Sequence, residues 1–208
     1  MKSKIFGTLL IIIVSAISFN FNLISKSDSK TVENLKAAII GETTASAKYL
    51  AYSKKAKEEG LDKIAKLFEA TSKSEGIHAN NHKAVLEQLG VKMDEVTPKY
   101  EVKSTKENLQ DAISGESYEV SSMYPDFIKV GKEENITLAV ISFNYAYQTE
   151  KNHNELYKNA LDKLNNKQES SLSSNYFVCV TCGNTYAAEA PNRCGICMTS
   201  KDRFISLK

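Results

Sequence analysis

At 208 residues, 42% hydrophobic and 25% charged, with no Trp and only three Pro, the chain suits one sizeable helical core with a small appendage. Its 27 basic and 25 acidic side chains leave a formal charge of +2 and are spread along the sequence. That distribution lacks the basic stripe a nucleic-acid partner requires, and nucleic acid is excluded as a partner class.

The chain opens with Met1-Lys2-Ser3-Lys4 and runs into an apolar stretch, Ile5 to Ile24, broken only by small polar residues and two Asn. A short positive start followed by such a stretch reads as an export signal. Phe19, Phe21 and Leu23 prolong it almost to membrane-spanning length, and neither a strict Ala-x-Ala triplet nor a nearby Cys closes it. Residues 1–25 are therefore expected to be a signal peptide or an uncleaved N-terminal anchor. The protein would then be exported, periplasmic or membrane-anchored facing outward, and would touch a membrane only through that segment. Ser25 to Lys30 form a polar linker straight after it.

An internal repeat organises the central part of the chain. Asn34-Leu35-Lys36-Ala37-Ala38-Ile39-Ile40-Gly41-Glu42 realigns with Asn108-Leu109-Gln110-Asp111-Ala112-Ile113-Ser114-Gly115-Glu116, six matches in nine at an offset of 74. One residue is then inserted, and at an offset of 75 Lys57-Glu58-Glu59 matches Lys132-Glu133-Glu134, Phe68 matches Phe143, Glu75 matches Glu150 and His78 matches His153. Each copy predicts a helical hairpin, with helices at about 31–59 and 61–89, a loop holding Pro98, then about 105–134 and 136–166. Gly60 and Gly90 suit helix C-termini, Asn135 stands where the second copy lacks the glycine, and Ser104-Thr105-Lys106-Glu107 is a capping box. Pro125 should kink the third helix.

Ile64, Phe68, Thr71, Glu75, His78 and His82 step by three or four, which aims charge at the face that also carries apolar core residues. A buried carboxylate without a partner costs several kcal/mol, and a metal ion supplies the compensation. One Glu from each of two helices and a Glu-x-x-His pair from each of the other two is a known di-metal arrangement. Here these are Glu42, Glu116, the pair Glu75 and His78, and the pair Glu150 and His153. A single Glu-x-x-His is commonly a surface pair; two in register with two further Glu are not. Carboxylate and imidazole together suit iron or manganese.

Glu119 breaks the symmetry, because its counterpart in the first copy is Ala45. Tyr49 and Tyr124 lie seven and eight residues beyond Glu42 and Glu116, where a phenol could bond a ligand carboxylate or simply pack in the core. His82 corresponds to Tyr157 and reads as a residue behind the ligands or at the surface rather than as a ligand.

All four cysteines fall in the last thirty residues, as Cys179-Val180-Thr181-Cys182 and Cys194-Gly195-Ile196-Cys197. Two CxxC knuckles this close point to a tetrahedral thiolate site for Fe or Zn, with a two-disulfide staple as the competing reading in an exported protein. The polar, serine-rich stretch before them, 167–175, reads as a flexible tether to a module over 176–208.

This order of motifs resembles the rubrerythrin family, a ferritin-like di-iron four-helix bundle (31–166) followed by a small rubredoxin-like four-cysteine β module. The resemblance implies that Glu42, Glu75, His78, Glu116, Glu119, Glu150 and His153 ligate two carboxylate-bridged irons, and that Cys179, Cys182, Cys194 and Cys197 hold one iron. It implies reduction of hydrogen peroxide to water at the di-iron site, which is re-reduced through the four-cysteine iron. Glu119 and His78 are then alternative ligands exchanged with redox state, and the chain is a homodimer in which one cysteine module approaches another bundle. On this reading protons are relayed by nearby carboxylates or by a tyrosine, Tyr49 or Tyr124. Export would separate it from soluble NAD(P)H and leave its electron donor unidentified. The rival readings are a ferroxidase or iron-handling protein, and a non-redox binding module with Zn in both places. The sequence departs from the family at Met198, where the second knuckle normally carries a glycine that allows a positive φ.

Overall fold

The computed structural model describes residues 29–208, so the export segment expected over 1–25 lies outside the described residues. Among the described residues, no helix is long and apolar enough to cross a membrane.

Two helical hairpins make the bundle. The first joins α1 (Lys30–Glu58) to α2 (Asp62–Gln88). Ser29 opens α1 by accepting the Val32 amide, and the chain leaves α1 and α2 through Gly60 and Gly90, both at φ +76°. The second hairpin starts at the Ser104–Glu107 capping box and runs through α3 (Thr105–Tyr118), a π-helical turn (Glu119–Met123) and α4 (Tyr124–Glu133). It returns along α5 (Thr137–Asn165). Asn135 takes the glycine's place at φ 58°, a conformation Asn tolerates better than most residues.

The expected disturbance near Pro125 takes a particular form. Proline lacks an N–H and crowds the carbonyl four residues back. Here the helix widens just before it, with the Tyr124 N–H reaching back to the Glu119 carbonyl.

The ends of the bundle are apolar and its middle is not. One cluster gathers Tyr49, Phe68, Leu109 and Tyr157, and the other gathers Leu35, Ile39, Leu86, Tyr124 and Phe143. Glu42 on α1 and Glu75 and His78 on α2 fall between them, each no more than 1% exposed.

The C-terminal module is a three-stranded antiparallel sheet of β1 (Tyr176–Cys179), β2 (Thr185–Ala187) and β3 (Phe204–Leu207), in the order β2-β1-β3. The segment before it is not the flexible tether its composition suggests. Glu169–Ser171 form a 3-10 turn, Lys63 bonds the Ser170 carbonyl, and Leu172 is buried with Tyr176, Val178 and Leu207 in the Tyr49 cluster. A single leucine among the serines supplies the apolar area that ties the linker down.

Candidate metal centres

Six of the seven carboxylate and imidazole residues expected from the sequence converge. Glu42, Glu75, His78 and Glu150 offer ligand atoms within 4.8 Å of one another, as do Glu75, Glu116, Glu150 and His153. Glu75 and Glu150 belong to both groups, so the site has two ion positions with two shared carboxylates. Glu119 is the seventh. It stands on the π turn, partly exposed and outside both groups.

Elementary electrostatics says what this cage is for. His78 Nδ1 lies 2.7 Å from Glu150 and 3.0 Å from Glu75, and His153 Nδ1 lies 2.8 Å from Glu150 and 3.1 Å from Glu75. Yet both Nδ1 atoms and both oxygens of Glu75 and Glu150 are buried without a properly directed hydrogen bond. Close approach without hydrogen-bond geometry means that the lone pairs aim at common points rather than at one another. Two divalent cations would also neutralise the four carboxylates of the two groups.

Without the ions, protons take up the strain. Desolvation opposes a charge on His78, but Glu150 and Glu42 outweigh it and raise its pKa well above the ordinary value; Glu75 and Glu150 do the same for His153. Burial pushes Glu42 up to about 7 against the pull of His78. Burial also raises Glu150, but the two histidines win and hold it at about 2. Glu116 and Glu119 are pushed well up by desolvation and by the surrounding carboxylates, the carboxyl of Glu119 lying deeper than the partly exposed residue as a whole.

Tyr49 and Tyr124 are more than core packing, and each serves the opposite repeat. Tyr49 donates its hydroxyl to Glu116 at 2.7 Å, and Tyr124 donates to Glu42. His82 is fully buried and is not a ligand; its Nε2 lies 3.2 Å from the Tyr124 oxygen.

The four cysteines close a second site. Cys179 and Cys197 sulfurs lie 3.4 Å apart, as do those of Cys182 and Cys194, far beyond the ~2.05 Å of a disulfide. All four are free, so the staple reading fails and a tetrathiolate cage remains. The Gly183 amide bonds the Cys179 carbonyl in one knuckle and the Met198 amide bonds the Cys194 carbonyl in the other. Met198 does take the glycine conformation, φ 62°, at a cost of roughly 1–2 kcal/mol. Its side chain is 60% exposed, so only the backbone is strained.

The first knuckle faces the bundle of its own chain, where the resemblance implied that of a second chain. His78 Nε2 lies 3.0 Å from the Cys182 carbonyl, Thr149 donates to the same oxygen at 3.1 Å, and Ser74 donates to the Gly183 carbonyl at 2.7 Å. His153 Nε2 lies 3.0 Å from the Thr185 hydroxyl. A Cβ at Gly183 would overlap the His78 ring and approach Ser74 Oγ to 2.7 Å. Sequence reasoning missed Ser74, Thr149, Gly183 and Thr185. A signal existed for the first two, because they are a repeat pair at the offset of 75, each a hydroxyl residue directly before a ligand Glu.

The comparisons with known proteins agree with this architecture. The sequence profile of the family described as Rubrerythrin matches residues 33–161. Nigerythrin of Nitratidesulfovibrio vulgaris is 37% identical over 189 residues, covering 89% of this chain and 92% of that protein. Rubrerythrin-2 of Clostridium acetobutylicum is 32% identical, covering 86% and 98%. The mixed-valence structure of nigerythrin matches with a TM-score of 0.77 at 36% identity, covering 89% of this chain and 94% of that one. Beside these relatives, the donor sets are those of a carboxylate-bridged di-iron site and a four-cysteine iron site.

Proposed function

Because the chain belongs to the rubrerythrin family, we propose that it is a peroxide reductase, an oxidoreductase that converts hydrogen peroxide to water at the di-iron site and is re-reduced through the four-cysteine iron. The observation that carries the reading is the hydrogen bond from His78 to the Cys182 carbonyl, which joins a ligand of one centre to the main chain of a ligand of the other. When bound, the iron pair would supply the two electrons that break the O–O bond, and the thiolate-bound iron would return them one at a time.

The side chains do the rest. Glu75 and Glu150 hold both ions, Glu42 and His78 complete one position, and Glu116 and His153 complete the other. Glu119 is assigned as the further ligand that exchanges with His78, its place on a widened helical turn leaving the side chain outside the packed cage. Donating Nε2–H to the knuckle fixes the His78 ring with Nδ1 toward the ion. Tyr124 and Tyr49 hold their hydroxyl protons on Glu42 and Glu116, where each could supply a proton beside an ion position. A docked redox module has no use in iron storage, which sets ferroxidase activity second.

On this reading the chain works outside the cytoplasm, from the character of residues 1–25, takes electrons from a donor other than soluble NAD(P)H, and pairs as a homodimer in which each module stays on its own bundle. The test is anaerobic stopped-flow mixing of the iron-loaded, reduced protein with hydrogen peroxide and, separately, with oxygen, following the absorbance of both centres. Faster oxidation by peroxide is expected. Faster oxidation by oxygen would replace the reading with ferroxidase, and silence from both centres would leave a non-redox metal-binding protein.

A further inference from the structure

Behind Tyr124 lies a second tier of polar side chains. His82 is fully buried, with Nδ1 2.7 Å from Ser142 Oγ and Nε2 3.2 Å from the Tyr124 oxygen. Its ring packs against Phe143 and Tyr124 at centroid distances of 5.3 and 6.0 Å. The direction of each bond comes from counting hydrogens. A ligand carboxylate only accepts, so Tyr124 spends its one hydroxyl hydrogen on Glu42. The Tyr124 oxygen must then accept from His82, which puts the ring hydrogen on Nε2. Nδ1 is left as an acceptor, so Ser142 donates to it. Every hydrogen in the series Ser142, His82, Tyr124 points toward Glu42.

Packing does not require this arrangement, and the other half of the bundle is the internal control. At the offset of 75, His82 corresponds to Tyr157 and Ser142 to Leu67. There the Tyr157 hydroxyl turns aside to Thr71 at 2.5 Å, so Tyr49 donates to Glu116 with no side chain bonded behind it. The same volume is filled by a dead end in one half and by an aligned relay in the other.

We propose that His82 is a positioning residue that makes Tyr124 a one-way proton donor toward Glu42, and that Ser142, His82 and Tyr124 form the path by which one of the two protons consumed per peroxide is replaced. In one passage the Tyr124 hydroxyl proton leaves for the cage, the Nε2 proton moves to the Tyr124 oxygen, and the Ser142 proton moves to Nδ1. Ser142, 5% exposed, then takes a proton from solvent water. The net change is one proton in from solvent and one delivered, and rotation of the hydroxyls with exchange of the ring proton resets the path. The proton's destination rests on the peroxide-reductase reading; the direction of the bonds rests on geometry alone.

Two measurements test it. In the full chain loaded with zinc as a diamagnetic probe, 15N NMR is expected to find the His82 proton on Nε2; a proton on Nδ1 overturns the proposal. In the iron-loaded, reduced protein, His82→Leu should slow single-turnover oxidation by peroxide roughly 100-fold while metal content stays at two per bundle, and His82→Gln, which keeps an N–H for Tyr124, should regain much of it. Wild-type rates in His82→Leu would overturn it. If the wild type reacts only with oxygen, the peroxide reading fails by itself, and the same order of variants measured with oxygen still decides the role of His82.

Discussion

The two hairpins of the bundle agree in the residues that would hold ions and differ in what stands behind them. Glu75 and His78 mirror Glu150 and His153, and Ser74 and Thr149 mirror each other beneath the cysteine module. Around this common frame, Glu119 faces Ala45 in the alignment, His82 faces Tyr157 and Ser142 faces Leu67. Two ions of like charge at neighbouring positions need like donor sets, which keeps the inner residues paired. The residues behind the ligands are under no such constraint and are free to diverge. The module exploits both halves unequally, giving a main-chain carbonyl to His78 and a threonine hydroxyl to His153.

The sharpest way to break this comparison is to separate shared ligands from private ones. Glu150→Ala removes an oxygen donor from both ion positions, and the metal content of the bundle after dialysis should fall from two ions to none while the four-cysteine site keeps its own. Glu42→Ala and Glu116→Ala should each retain one ion, and loss of both ions from either variant would show that the positions are not distinct. Metal removal gives a smaller effect with a definite sign. In the metal-free protein Glu42 titrates at about 7 instead of 4.5, so the native state holds the extra proton and stability falls as pH rises through that window. The raised His78 and His153 act in the same direction, their stabilisation being full below 6.5 and lost as pH rises through their folded values. Glu150, held at about 2, adds stability above its ordinary 4.5 that is lost only as pH falls toward 2. The Tm of the metal-free protein should therefore be lower at pH 8 than at pH 5. The loaded protein should show the opposite slope, since protons compete with ions for the same donors. The smallest effect concerns the hairpin turns, where Gly60 and Asn135 share a left-handed conformation. Asn135→Gly should stabilise the second hairpin by no more than about 1 kcal/mol in denaturant unfolding, and Gly60→Asn should cost a similar amount.

Much of this is legible in the sequence. The repeat locates the ligand helices, the Ser104–Glu107 box and the Gly60, Gly90 and Asn135 turns mark their ends, and the paired Glu-x-x-His motifs mark the cage. The change of offset from 74 to 75 is also visible there, but not its meaning. An inserted residue can be absorbed by a loop, a kink or a bulge, and here the π turn over Glu119–Met123 absorbs it between Glu116 and Tyr124. This is why Tyr49 lies seven residues beyond its Glu and Tyr124 eight. That each tyrosine serves the opposite repeat depends on how the hairpins cross, which no local pattern encodes. The seat of the module is hidden for a different reason: its main contacts are carbonyl oxygens, which every residue carries and no sequence distinguishes. A place for His82 behind the ligands can be read from the repeat, but the alignment of its bonds appears only once Ser142 and Tyr124 are set beside it.

The bare α-carbon of Gly183 means that the lid over the ligand histidine is made of peptide rather than side chain. Such a lid comes with the knuckle's shape and asks for no particular side chain over His78. At the matching place in the other knuckle stands Met198, its side chain 60% exposed. The outward face of the cysteine module can thus vary, while its inward face is held by Gly183 over His78 and by the Thr185 hydroxyl on His153.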